Sequence, residues 1–396
     1  MDMSFISIPT IIIVNVNVLI WITFLLAYAK SRRCKNDFID PSNNNPDELV
    51  SAIVPACNEE KVIGDVIRDL DSQTYRNLEI IVVVHNSKDC TYEQARSVKT
   101  VHPSLIVKLH TKEAGKGIAL QHALKYAKGS LIAIFDADNR VPPTFIENMV
   151  KQINRGHDCV QALIMTKNPN YNKLTFCVAL EYEVYPPAYS SIKNRLGLNA
   201  EIGGTGFMIK RTALDAVGGF HNRLIEDFDL ALRLTLEGYK INYTEYSYVY
   251  DEKPVTWKAL IRQRSRWMAG YYELIRHYCT KPTTLLKLLL KDPFKLLCLL
   301  APISGPLAIV TFVALPLLHF FVDITYFALP AFTWLILLIA WNFASGAVLV
   351  RKGYTFKQAT KYALILTMFS LHWYAVVIKA FSVRSWAYTK TVHVGK

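Results

Sequence analysis

The sequence predicts an α/β domain, an open and mostly parallel twisted sheet with helices on both faces, inserted between membrane-spanning helices. Three observations carry this. Short β-branched runs alternate with helical repeats from about residue 47 to 280, the pattern of a wound sheet. Long apolar stretches with basic edges lie on both sides of that region. Two aspartates, Asp136 and Asp138, follow directly on an apolar strand, where open α/β sheets hold their ligands.

The bulk numbers agree. Of 396 residues, 52% are apolar, yet the net charge is +13. A uniform soluble enzyme rarely combines the two, whereas an enzyme with basic membrane flanks does. Many Lys and Arg stand beside apolar segments, so anionic headgroups, not nucleic acid, are the expected partner. The seven cysteines are scattered, odd in number and without metal-ligand spacing, which points to a reduced, cytosol-facing chain.

Residues 1–30 are expected to form a transmembrane helix, because Phe5 to Ala29 is long and apolar enough to cross a bilayer. Lys30, Arg32, Arg33 and Lys35 follow it, which marks a signal anchor with the next domain in the cytoplasm. After an interfacial segment at 281–295, the region 296–383 offers about three more spans: Leu296 to Val322, Thr325 to Val350 and Tyr362 to Val383. The expected location is a multi-pass protein of the cell membrane. Three crossings after a cytoplasmic domain leave the 384–396 tail outside, yet it carries Arg384, Lys390 and Lys396. Either the last segment is re-entrant or interfacial, or the tail departs from the charge rule.

Within the domain at 47–280, Val50 to Pro55 reads as a buried strand. Asn58 then stands where it can cap a helix carrying Val62, Ile63, Val66, Ile67 and Leu70 at helical spacing. Leu78 to Val84 is too continuously apolar for a half-exposed strand, so it is expected to be parallel and covered on both faces. Leu105 to Leu109 and Leu131 to Phe135 repeat the pattern, with a helix at Ile118 to Ala127 between them.

Asp136-Ala137-Asp138 at the end of that last strand can hold a divalent cation and a sugar hydroxyl together. It does not stand alone. Ile53-Val54-Pro55-Ala56-Cys57-Asn58-Glu59-Glu60 precedes it, as does Ala114-Gly115-Lys116-Gly117. Gly203-Gly204-Thr205-Gly206, Glu226-Asp227 and Gln263-Arg264-Ser265-Arg266-Trp267 follow. In this order, over roughly Val50 to Gly270, the motifs resemble the family 2 glycosyltransferases, in particular the membrane branch of cellulose, chitin and hyaluronan synthases.

The resemblance implies a GT-A-like fold, metal dependence on Mg²⁺ or Mn²⁺, and a nucleotide-sugar donor. It places Pro55, Asn58 and Glu59 in the nucleotide loop, Lys116 near the diphosphate, Asp136 on the nucleoside side and Asp138 on the metal. Gly204, Thr205 and Gly206 would form the acceptor-side loop. Inverting displacement needs a carboxylate to take the acceptor's proton, a role given to Asp227 beside Glu226. Gln263, Arg264, Arg266 and Trp267 would serve the acceptor and the diphosphate, whose growing charge needs cations. Where many members place an acidic pair, this chain has His85 and Asn86, followed by Asp89. His85 or Asn86 would then meet the base and Asp89 the ribose, with a uridine nucleotide as default and a guanosine one as competitor.

Each motif also has a plain structural reading. Glu226 and Asp227 suit a helix N-terminus, the paired glycines suit a turn, and the arginines suit lipid phosphates. For the acceptor, a growing polysaccharide stands first and a single membrane lipid close behind. A binding protein without catalysis is a third reading. So few spans make a small channel for a polymer unless chains assemble, so the oligomeric state stays open. The tail's Trp386-Ala387-Tyr388-Thr389-Lys390 resembles the tryptophan–threonine tail of that branch and would favour a cytoplasmic C-terminus; an aromatic membrane anchor is the alternative.

Overall fold

A computed structural model describes residues 18–31, 48–300 and 331–383. The start of the first apolar stretch, most of Leu296 to Val322 and the tail from Arg384 lie outside the described residues.

Seven strands form one sheet: β1 (Val50–Ala56), β2 (Leu78–His85), β3 (Ser104–Leu109), β4 (Leu131–Ile134), β5 (Cys159–Thr166), β6 (Phe207–Lys210) and β7 (Ile241–Asp251). Their order is β3-β2-β1-β4-β6-β5-β7. β6 runs antiparallel to both its neighbours, and the other pairings are parallel. Strand β1 shows why the runs are wholly apolar. Val50, Ala52 and Val54 pack with Ile63, Val66, Ile67 and Leu70 of helix α2 (Ile63–Asp71). Ile53 turns to the other face, with Ala119, Leu120 and Ala123 of helix α4 (Lys116–Ala123). A strand covered on both faces has no polar side to alternate with.

Asn58 does not cap α2. That helix starts at Ile63 after Val62, with no side-chain cap. Asn58 instead adopts φ +60°, which asparagine tolerates better than most residues, and its Oδ1 accepts from the backbone N–H of Lys88 at 2.9 Å.

Past α3 (Thr91–Ser97), α5 (Phe145–Ile153), α6 (Lys173–Arg195), α7 (Arg211–Ala216) and α8 (Glu226–Glu237), the chain leaves the sheet through α9 (Trp257–Cys279) and α10 (Pro282–Lys291). Helix α1 (Val18–Lys30) packs on α6 together with α11 (Ala331–Arg351) and α12 (Phe356–Ser370). α12 runs on into α13 (His372–Ala380), and together Phe356–Ala380 is, among the described residues, long and apolar enough to cross a membrane. It shows Leu364, Met368, Leu371 and Ile378 on its outer side, Met368 at 72% exposure. Leu286 and Leu290 of α10 are exposed as well.

The ends of α1 and α11 meet at the sheet. Tyr28 donates to Glu245 of β7 at 2.7 Å, and Lys352 reaches the same carboxylate at 2.9 Å. The Arg351 guanidinium lies 4.0 Å from the Tyr28 ring centre and donates to the backbone carbonyl of Ser31.

Candidate active site

A cleft of about 410 Å³ opens where β1, β4 and β7 end, with α8 and α9 as its far wall. Asp136 and Asp138 follow β4. A third carboxylate joins them from the end of β7: one oxygen each of Asp136, Asp138 and Asp251 lie within 4.8 Å of one another. The sequence reading did not include Asp251. Its signal was there, an aspartate closing an apolar–aromatic strand in the region where ligands gather. Three hard carboxylates from two rigid strand ends fit Mg²⁺ or Mn²⁺ better than a soft metal. Lysines offset part of their charge: Lys253 pairs with Asp251 at 2.6 Å and Lys116 with Asp136 at 2.5 Å.

Lys116, at the first turn of α4, ties three motifs together. It also donates to the Gly204 carbonyl at 2.8 Å and stands 3.7 Å from Glu226. Burial disfavours its charge, but Asp136 and Glu226 outweigh that and raise its pKa. Glu226 and Asp227 open α8, the helix turn foreseen as their structural role. They also face the cleft. Burial pushes Asp227 up to about 7; Glu226 adds to this and Lys116 opposes it. Burial likewise raises Glu226, against Lys116.

The glycine loop corrects one expectation. A Cβ at Gly204, whose φ is +80°, would stand 3.0 Å from Asp227 Oδ2, so glycine there keeps the space beside that carboxylate open. At Gly206, φ +62°, it would instead stand 2.7 Å from the side chain of Val249. That glycine serves strand packing and does not line the cleft. Thr205 lines the cleft, and its buried hydroxyl donates to Asn139 and accepts from the backbone N–H of Asp136 at 2.9 Å. It fixes the Asp-x-Asp turn.

Gln263, Arg266 and Trp267 line the cleft at helical spacing on α9. Arg264 points the other way, as the 3.6-residue turn requires of their neighbour. It is 1% exposed, forks onto both oxygens of Glu181 on α6, meets His372 at 2.6 Å and lies over the Trp373 ring. It joins helices and does not line the cleft.

Pro55 and Glu59 line the cleft; Asn58, His85, Asn86 and Asp89 do not. His85 is buried, hydrogen-bonded to Thr111 at 2.8 Å, and burial lowers its pKa. Asn86 accepts from the Thr111 N–H and donates to its carbonyl. Burial would raise Asp89, but hydrogen bonds from Thr91 and Ser87 outweigh it and lower its pKa. These residues bind the loops after β1, β2 and β3 to one another.

Against known proteins, the family model described as glycosyltransferase like family 2 matches residues 46–270. A beta-monoglucosyldiacylglycerol synthase of Trichormus variabilis is 30% identical over 238 residues, 58% of this chain and 50% of the relative. A poly-beta-1,6-N-acetyl-D-glucosamine synthase of Staphylococcus aureus is 26% identical over 262 residues, 64% of this chain and 63% of the relative. The chain spans about half the length of the first of these. Among solved structures, a mannosyltransferase of Pyrobaculum calidifontis in complex with GDP-Man and Mn²⁺ shares the fold, with a TM-score of 0.52, 21% identity, and coverage of 94% of this chain and 97% of that one. A match over more than half of the sequence, on the same residues that build the sheet and its cleft, places this chain in the glycosyltransferase like family 2.

Proposed function

We propose that the chain transfers a hexose, with inversion, from a nucleoside-diphosphate sugar to an acceptor hydroxyl at the membrane. The observation that carries this is the meeting, in one cleft, of Asp227, the carboxylates of Asp136, Asp138 and Asp251, and the cations Lys116 and Arg266. In this reading Asp227 takes the acceptor's proton. Its raised pKa makes it a base suited to near-neutral pH, since a base is most effective when its pKa lies near the working pH. The metal, when bound by the three aspartates, would offset charge on the diphosphate. Lys116 and Arg266 hold the same leaving group, with the arginine's fork matching its oxygens. Glu59 and Pro55 flank the nucleoside, and Gln263 and Trp267 face the acceptor.

The membrane setting is part of the proposal. The outer apolar side chains of Phe356–Ala380 support one crossing. The joint of Lys352 and Tyr28 on Glu245 supports basic flanks on the same side as the catalytic domain. Similarity to a beta-monoglucosyldiacylglycerol synthase and to a poly-beta-1,6-N-acetyl-D-glucosamine synthase supports both acceptor classes.

The test is the purified chain in lipid vesicles with Mg²⁺ or Mn²⁺ and radiolabelled UDP- and GDP-sugars, products separated by size and by solvent extraction. Metal-dependent sugar transfer from one donor is expected. No turnover of any donor, or full turnover by Asp227→Asn, would overturn the reading.

A further inference from the structure

Behind the cleft lies a second cavity, of about 370 Å³, that the sugar chemistry leaves unused. The size falls within the roughly 300–1,000 Å³ of small-molecule sites. Trp267 and Tyr271 of α9 line both spaces. Tyr271 packs edge-on against Phe228 at 4.8 Å, and Phe228 is the residue after Asp227. Asp227 thus shares the first space with Trp267 and Tyr271, and this aromatic pair borders the second.

The second cavity is apolar in make-up. Ile20 and Trp21 of α1 form one side, Leu297 and Cys298 another, and Trp373 of α13 a third. Tyr189, also in the wall, spends its hydroxyl on Cys298 Sγ at 2.7 Å and the Phe294 carbonyl at 3.2 Å, and shows its ring to Trp21, stacked at 5.0 Å. Two of these walls, α1 and α13, belong to the apolar helices that carry the membrane reading. A sugar chain would find few hydrogen-bond partners here; a hydrocarbon chain needs none.

We infer that the acceptor is a lipid, and that this cavity holds its acyl chain while its hydroxyl reaches Asp227 past Trp267 and Tyr271. The inference rests on the hexosyl-transfer reading and names its acceptor class.

Dioleoylglycerol carrying a diazirine in one acyl chain, photolysed with the full chain in phosphatidylglycerol vesicles, tests it. Label is expected on the α9 peptide around Met268 or on Leu297. It should fall at least fivefold in the filling variants Leu297→Trp and Ile20→Phe, which enter the cavity from different segments of the chain. Acceptor KM should rise at least tenfold in both, while donor binding, which reports folding, stays within twofold. Label confined to the outer faces of α11 to α13, or undiminished in a variant that binds donor, would overturn the inference. So would a water-soluble polymer as the product. Donor turnover by the unmodified chain is read separately, so loss of the enzymatic reading and loss of the acyl site give different results.

Discussion

Asp227 sets the sharpest expectations at the scale of single residues. A base with a pKa of about 7 is protonated in acid. The value of kcat/KM should therefore fall tenfold per pH unit below that point and level off above it, as measured by donor release between pH 5 and 9. Asp227→Asn should lower turnover at least about a thousandfold while sparing donor affinity. It should also stabilise the protein. The folded state favours the neutral acid, so ionisation costs stability as pH rises from 3.8 to about 7. The variant's thermal midpoint should exceed the parent's at pH 8, by about 2–4 °C per kcal/mol relieved, and match it below pH 4. At the metal cluster, Asp138→Ala and Asp251→Asn should each weaken Mn²⁺-dependent donor binding at least about tenfold, measured by calorimetry with and without chelator. An unaffected Asp251→Asn would return that residue to its pairing with Lys253.

Helices and strands explain what could be read in advance. β1, β2 and β4 were legible because burial on both faces leaves a continuous apolar run. The motifs at their ends were legible because α/β ligands gather there. Asn58, His85, Asn86 and Asp89 stand outside the cleft lining, because a loop that supports a site uses the same polar residues as one that touches it. Their partners, Lys88, Thr111 and Thr91, are fixed only when three loops come together. Arg264 was assigned by motif, but its orientation follows from the phase of α9 against α6 and α13, which no local pattern encodes. Its removal should act on the scaffold. Arg264→Met leaves the half-buried Glu181 carboxylate without its partner beside apolar helices, so up to about 3 kcal/mol of stability should be lost, with donor affinity in the folded fraction unchanged. A variant with normal stability and failed diphosphate binding would contradict this. Gly206→Ala should also destabilise, through strained backbone and contact with Val249, as seen in the denaturation midpoint.

For the molecule as a whole, α6 packs on β5 and β7 of the sheet and on the apolar helices α11 and α12, so sheet and helices join through it among the described residues. The protein should stay with the membrane pellet after alkaline carbonate washing, and release into the supernatant would remove the membrane crossing. The joint of Tyr28, Glu245 and Lys352 extends this to the protein's biogenesis. Arg351 meets Ser31 across 320 positions of sequence. At about 5–20 residues per second, the ribosome emits the second of these partners roughly 15–65 s after the first. For that interval Tyr28 and Ser31 stand without their late partners, and only the helices after residue 331 close the joint. A chain stopped before residue 351 would leave Glu245 without Lys352, so the joint is complete only once the late helices have been made.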